Sequence, residues 1–171
     1  MTYALVLHGG AGARPGTDYS AQNKHMAGLI AGGQEKLIAG VAALDVVAWA
    51  VEELEASGLY VAGKGSAPHS LGGFELDASI MHGPSRRAGA VAAIEGIQSP
   101  IRAALSVLED DRHVMLAGHG AQLAYACGAC RRGGQCGRAR QRLLFAWIIR
   151  RRRVSCGIHG SDWRACASCG L

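Results

Sequence analysis

The chain changes composition abruptly after Ala126, and this break limits how much of it one fold can include. Residues 1–126 hold 8 lysines and arginines against 12 acidic residues, a net charge of −4, together with all three lysines and all four prolines. Residues 127–171 hold ten arginines against a single acid, a net charge of +9, together with all six cysteines. Such a break marks a module boundary or a change in the origin of the sequence. We therefore divide the chain into region 1–126 and the tail, 127–171.

The first region alternates short apolar strands with helices. The clearest helix, 42–56, has one apolar stripe with its acidic residues mostly outside it. A second helix starts after Ser99, which we expect to be its N-cap, with Pro100 in the first turn. The small strand residues predict a sheet covered on both faces. The predicted strands are Tyr3–Leu7, expected to be buried, Phe74–Ala78, Ala88–Ile94 and His113–Ala117, and the other helices span about 21–39 and begin near His119.

Seven short motifs follow one another along this region. They are HGGAG (8–12), ALDVV (43–47), AGKGSA (62–67), ELDASIM (75–81), GAVAAI (89–94), SPIRAA (99–104) and HVMLAGHGA (113–121). Their order and spacing resemble the plant-type L-asparaginases and isoaspartyl peptidases, which are N-terminal-nucleophile hydrolases. The resemblance covers Thr2 to about Ala126 and concerns the N-terminal α-subunit portion of that family.

This resemblance implies an α/β fold, namely the N-terminal half of an αββα sandwich, which would be incomplete here. In the family a precursor cuts itself, and the new N-terminal threonine of its second half attacks the substrate carbonyl. That threonine's own α-amine serves as the base, and an acyl-enzyme forms. The implied activity is hydrolysis of L-asparagine or β-aspartyl dipeptides by dimers of αβ units.

The resemblance also assigns two loops to the surroundings of the active site. His8, Gly9, Gly10, Ala11 and Gly12, together with Val61, would lie near the nucleophile. The backbone of Leu54, Glu55, Tyr60, Ala62 and Gly63 would bind a structural sodium ion, and no other cofactor is expected. From the residues alone we favour a structural role, a turn hydrogen bond for His8 and backbone angles for the glycines.

No residue can be assigned as the nucleophile. The sequence has only two threonines, Thr2 and Thr17, and neither lies in the sequence context of the family nucleophile. We therefore expect the chain to be inactive alone and to need a complementing β-subunit. The alternative is a non-catalytic binding module with a cysteine-rich tail that binds zinc or nucleic acid.

The tail has three interpretations. Cys127, Cys130, Cys166 and Cys169 form two CxxC pairs that suit tetrahedral zinc, but the gap between the pairs is longer than in zinc knuckles. Arg150–Arg153 could contact phosphates, although no aromatic residues interleave with them as in nucleic-acid binders. The third interpretation is out-of-frame translation of GC-rich DNA, which gives an excess of Arg, Cys, Gly and Ala. We favour this third interpretation and expect the tail to be disordered.

The sequence gives no sign of membrane attachment. No stretch reaches the roughly 18 apolar residues of a membrane span. The N-terminus shows neither the basic nor the apolar part of a signal peptide. We expect a cytoplasmic protein without a membrane partner.

Overall fold

The computed structural model describes residues 3–126 and the segment 146–150. Helices and strands are interspersed along the described chain, which confirms the α/β class. In chain order they are β1 (Tyr3–Leu7), α1 (Ser20–Ile38), α2 (Ala43–Ser57), a 3₁₀ turn (Gly63–Gly65), β2 (Leu76–His82), β3 (Arg87–Ile94), α3 (Pro100–Asp110), β4 (Met115–Ala117), α4 (Gly118–Ala126) and β5 (Ala146–Arg150).

The strands form two sheets. In the larger sheet β3 is central, antiparallel to β2 and parallel to β4. The pairing of β2 with β3 shifts register between Leu76 and Ala78, where Ala92 and Ala93 of β3 lie opposite the single residue Asp77. There Asp77 Oδ1 accepts a hydrogen bond of 2.8 Å from the Ala93 amide. The Asp77 side chain thus satisfies a backbone amide at the irregular position. In the smaller sheet β1 pairs antiparallel with β5.

The main core lies between the larger sheet and the helices packed on it. One sheet face contributes Ala78 and Ile80 from β2 and Val91 from β3, all buried. Helix α3 covers this face with Ile101 and Leu108, since its apolar positions recur at helical spacing. A smaller cluster joins β1, α1 and α2 and consists of Leu29, Leu54 and Tyr60 with Leu7, Met26 and Trp49 against them.

Two predictions about burial are wrong. Strand β1 is not buried, because it packs on α1 with one face and its residues alternate between half-buried and exposed. The described residues cover one face of the larger sheet and only part of the other, where Ala92 is buried. On its other face Met81 is 54% exposed and Met115 46%. Ser79, Ala88 and Ala90 on that face are only half-buried.

Element boundaries differ most from prediction at β2 and β4. Strand β2 begins two residues later than Phe74 and continues to His82, because residues 69–73 form a turn closed by a His69 amide bond to the Gly73 carbonyl. Strand β4 is limited to Met115–Ala117. None of the described helices is long and apolar enough to cross a membrane.

Candidate functional site

The loop after α2 folds back closely on that helix. Gly58 ends the helix in the left-handed conformation, at φ 69°. A side chain at Gly63 would place its Cβ 2.5 Å from the Glu55 carbonyl oxygen, and one at Gly65 would overlap the Tyr60 carbonyl oxygen. Backbone cannot give way as a flexible side chain can. Residues 58–66, which we call the helix-end loop, therefore depend on glycine for this close approach.

Glu55 connects the helix-end loop to α3. Its carboxylate is buried, with 4% of the residue exposed. The Ile101 amide donates to Oε1 at 3.1 Å, and the Ser99 hydroxyl donates to Oε2 at 3.0 Å. Ser99 occupies the predicted N-cap position, but its side chain makes no capping bond. The cap of α3 comes instead from Glu55 on another helix, where a carboxylate also suits the helix dipole.

Burial changes the acidity of this carboxyl. It raises the pKa of Glu55 from 4.5 to about 7, although the bonds from Ser99 and Ile101 act in the opposite direction. The charge of Glu52 raises the pKa further and that of Arg102 lowers it. The Arg102 guanidinium is itself paired with Glu52, at 2.6 Å. Glu55 can therefore gain or lose a proton near neutral pH.

Tyr60 brings the helix-end loop against the loop that follows β1. A Cβ at Gly9 would lie 2.9 Å from the Tyr60 ring, so the ring packs directly on the Gly9 backbone. The Tyr60 hydroxyl donates to the Gln22 carbonyl at 3.1 Å and lies 3.2 Å from His25 Nδ1. Burial raises the pKa of Tyr60. One side chain thus links both predicted loops to α1.

The remaining residues predicted from the resemblance differ in exposure. His8, Gly10, Ala11, Gly12 and Val61 are exposed, and only Gly9 of the first loop is half-buried. Of the predicted sodium ligands, Leu54, Glu55 and Tyr60 are buried, and Ala62 and Gly63 are half-buried. The Tyr60 carbonyl accepts a bond of 2.8 Å from the Ala62 amide, and the Ala62 carbonyl one of 2.9 Å from the Gly65 amide. Each such oxygen keeps a second lone pair.

A cavity of about 350 Å³ lies between the helix-end loop and the start of β2. Its polar lining includes Glu55, Asp77 and His69, and its apolar lining includes Val51, Val61 and Pro100. Burial raises the pKa of Asp77, against the effect of its bond from Ala93, while the charge of Glu75 adds to the increase. Two carboxyl groups with raised pKa values therefore border one cavity, which is typical of binding sites.

Several predicted residues cannot be placed. The four predicted zinc ligands, Cys127, Cys130, Cys166 and Cys169, lie outside the described residues. Of the arginine run only Arg150 is described, at the end of β5. Thr2 also lies outside the described residues, and Thr17 is exposed in the loop before α1.

The sequence reasoning missed the side chain of Glu55. It placed the acidic residues of α2 mostly off the apolar stripe, but Glu55 follows Val51 by four positions and Ala48 by seven. At this spacing the three residues share one face of a helix. The pattern could have revealed a buried acid that would need hydrogen-bond donors.

Comparison with known proteins gives consistent matches. The model of a family described as asparaginase matches residues 1–133. A plant-type L-asparaginase of Pyrobaculum calidifontis is 44% identical over 121 residues, which are 70% of this chain and 40% of that protein. An isoaspartyl peptidase of Salmonella typhimurium is 38% identical over 133 residues, 74% of this chain and 42% of that protein. The isoaspartyl peptidase of Escherichia coli is 39% identical over 130 residues, which are 72% of this chain and 40% of that protein. The chain thus spans about two fifths of the length of these relatives.

Proposed function

Because this chain belongs to the asparaginase family, we propose that it forms the N-terminal part of a hydrolase that acts on L-asparagine or β-aspartyl peptides. The observation that carries the proposal is the continuous family match over residues 1–133. Relatives that match the same stretch are named plant-type L-asparaginase and isoaspartyl peptidase. The reaction class is therefore amide hydrolysis at an aspartyl side chain.

In this proposal the described residues support the catalytic groups and contribute no nucleophile. By the family resemblance, the nucleophilic threonine would belong to the part of the relatives that the chain does not cover. The helix-end loop and His8–Gly12 would border that threonine. Glu55 fixes the helix-end loop to α3, and Tyr60 fixes it to Gly9 and α1, at the distances given above. Such rigid support keeps reacting groups in position.

The half-exposed face of the larger sheet supports the need for a second part. Met81 and Met115 are about half exposed there, beside the small residues Ala88 and Ala90. Small and apolar side chains on an open sheet face favour close packing of another layer. We propose that this layer is the complementing β-subunit, and that the complete enzyme assembles as a dimer of αβ units.

We also propose that the helix-end loop and the end of α2 bind a structural sodium ion. Hard cations bind backbone carbonyl oxygens. The Gly58 carbonyl oxygen would lie 2.9 Å from a Cβ at Gly65, and the Tyr60 carbonyl oxygen approaches the same point. Both carbonyls therefore lie close to Gly65, and the carbonyls of Leu54, Glu55, Tyr60, Ala62 and Gly63 would supply the ligands of the proposed ion. When bound, the ion would stiffen the loop, and no chemical step depends on it.

Complementation tests this function directly. The purified chain would be assayed for ammonia release from L-asparagine and for cleavage of a β-aspartyl dipeptide. The assay would be run alone and with the remaining three fifths of the Pyrobaculum calidifontis relative. We expect turnover only in the mixture, and none when the threonine proposed as the nucleophile of the added part is replaced by alanine. Turnover by the chain alone would refute the need for a second part.

We further propose that the tail is translated out of frame. The support is its change in charge and cysteine content after Ala126, although the family match continues to residue 133. The test is the coding DNA downstream of codon 126, read in all three frames. A segment resembling GTVGAVA in another frame supports the proposal. An intact coding frame that still encodes this tail would rule it out.

A further inference from the structure

Three potential metal ligands meet beside the cavity, at the end of the β2–β3 hairpin. They are His69, Glu75 and Glu95, and one ligand atom of each lies within 4.8 Å of the other two. His69 and Glu75 are half-buried, and Glu95 is exposed. The residues come from three separate places in the chain: a turn, the residue before β2 and the residue after β3. The fold, rather than local sequence, brings them together.

The sheet register sets the two carboxylates side by side. Leu76 pairs with Ile94, so Glu75 and Glu95, one residue further on each strand, leave the same end of the hairpin. Like charges at neighbouring strand positions repel each other. Among the described residues, neither carboxylate has a hydrogen-bond or ion-pair partner. A bound cation would relieve this repulsion.

The His69 imidazole packs against Gly73. The His69 amide donates to the Gly73 carbonyl and the Gly72 amide donates to the His69 carbonyl, both at 2.9 Å. A Cβ at Gly73 would lie 2.5 Å from His69 Nε2. The ring thus occupies the space that a side chain at position 73 would fill. Its position therefore depends on both the closed turn and this glycine.

We propose that His69, Glu75 and Glu95 bind a divalent first-row metal ion of the manganese class through one imidazole nitrogen and two carboxylate oxygens. Carboxylates with one imidazole and open positions suit such a borderline-hard ion better than they suit soft metals. With ligand atoms roughly 2.1 Å from the ion, neighbouring ligands stand roughly 3 to 3.5 Å apart. In the proposed site, rotation of the exposed Glu95 side chain would bring the ligand atoms from their present spacing of up to 4.8 Å to this distance.

Binding changes the hydrogen bonding of the turn. His69 Nδ1 accepts a bond of 3.0 Å from the Leu71 amide, so a neutral ring carries its proton on Nε2. An ion at Nε2 moves that proton to Nδ1, and an ion at Nδ1 occupies the acceptor itself. In both cases the Leu71 amide loses its partner, and its hydrogen exchange becomes faster.

Manganese is the probe that tests the site in the full chain. The reduced protein is titrated with Mn²⁺, and the signal of free Mn²⁺ is followed by electron paramagnetic resonance. Thiolates of the six cysteines are poor ligands for this ion. We expect one bound ion, an affinity at least tenfold lower in Glu75→Gln and Glu95→Gln, and an unchanged affinity in Glu109→Gln, an exposed acid on α3.

Further variants keep the result interpretable. Glu95 is exposed, so its glutamine variant should keep the fold even if a change at His69 does not. Gly73→Ala should also weaken binding, because the added methyl displaces the imidazole. Faster exchange of the Leu71 amide on Mn²⁺ addition would identify His69 as a ligand. Failure to bind Mn²⁺, or equal affinity in wild type, Glu75→Gln and Glu95→Gln, would overturn the proposal.

Discussion

The two glycine-containing loops that meet at Tyr60 are built in different ways. In the helix-end loop, Gly63 and Gly65 lie against backbone atoms of Glu55 and Tyr60. In the loop after β1, no atom lies within 4 Å of a Cβ placed at Gly10 or Gly12. Gly9 of that loop packs against the Tyr60 ring. Similar glycine patterns thus serve close packing in one loop and leave an open surface in the other.

Because of this difference, we expect the two loops to contribute differently to the stability of the fold and to its function. The helix-end loop is part of the α2–α3 packing, so a change there should alter the free energy of unfolding. In the loop after β1 a Cβ at Gly12 would meet no described atom, so a change there should alter that free energy little. If Gly10 or Gly12 matters for function, the reason lies in what approaches this surface in the proposed complete enzyme.

Gly65→Ala should be the most damaging change. The added methyl would overlap the Tyr60 carbonyl oxygen and lie 2.9 Å from that of Gly58, so the loop must leave α2. We expect a loss of at least about 3 kcal/mol in the free energy of unfolding. Urea denaturation followed by circular dichroism measures it.

Gly28→Ala is the matched control for that change. Gly28 lies within α1, and no atom lies within 4 Å of its Cβ position. The same substitution should here raise stability by about 0.5–1 kcal/mol, because alanine favours the helix. Equal losses in both variants would mean that the helix-end loop does not depend on close packing at Gly65.

The pH dependence of stability should report the proton of Glu55. Its pKa rises from 4.5 to about 7 on folding. Between these values the folded chain keeps a proton that the unfolded chain has released, so stability falls as pH rises. At 1.36 kcal/mol per pKa unit, the loss between pH 4.5 and 7 is about 3 kcal/mol. Above pH 7 this contribution is constant.

Glu55→Gln isolates this effect from other carboxyl groups. Asp77 also has a raised pKa, so the wild type alone would mix two contributions. The glutamine oxygen can still accept from Ile101, but it carries no charge. We expect a flatter stability profile between pH 4.5 and 7 in urea denaturation. A variant profile as steep as that of the wild type would show that Glu55 does not titrate in this range.

The sequence predicted much of the fold but little of this packing. Apolar spacing identified α2, and Ser99 with Pro100 identified the start of α3, because both signals are local. The role of Glu55 as the cap of α3 is not local, since its bond partner Ile101 lies 46 positions away. The convergence of His69, Glu75 and Glu95 likewise depends on strand register. The partly uncovered sheet face was missed because small strand residues alone do not show how many layers cover a sheet.

Tyr60→Phe should have a smaller effect than the changes at Gly65 and Glu55. It keeps the ring on Gly9 but removes the hydroxyl that bonds the Gln22 carbonyl and lies near His25. We expect a loss of about 1 kcal/mol, typical of one hydrogen bond. Tyr60→Ala, measured alongside, should cost more because it also removes the buried ring. Equal losses in the two variants would show that the ring itself does not support the junction of the loops.

Gly12→Ala should leave stability within about 0.5 kcal/mol of the wild type, because the position is exposed and the methyl group meets no described atom. Gly9→Ala, three residues earlier, is the paired variant and should lower stability, since its Cβ would lie 2.9 Å from the Tyr60 ring. Denaturation of the two variants compares the positions within one loop. The turnover of each variant with the complementing part then distinguishes a role in stability from a role in function. Lost turnover in a fully stable Gly12→Ala chain would assign this open surface to function, whereas a large stability loss would show that the loop is packed after all.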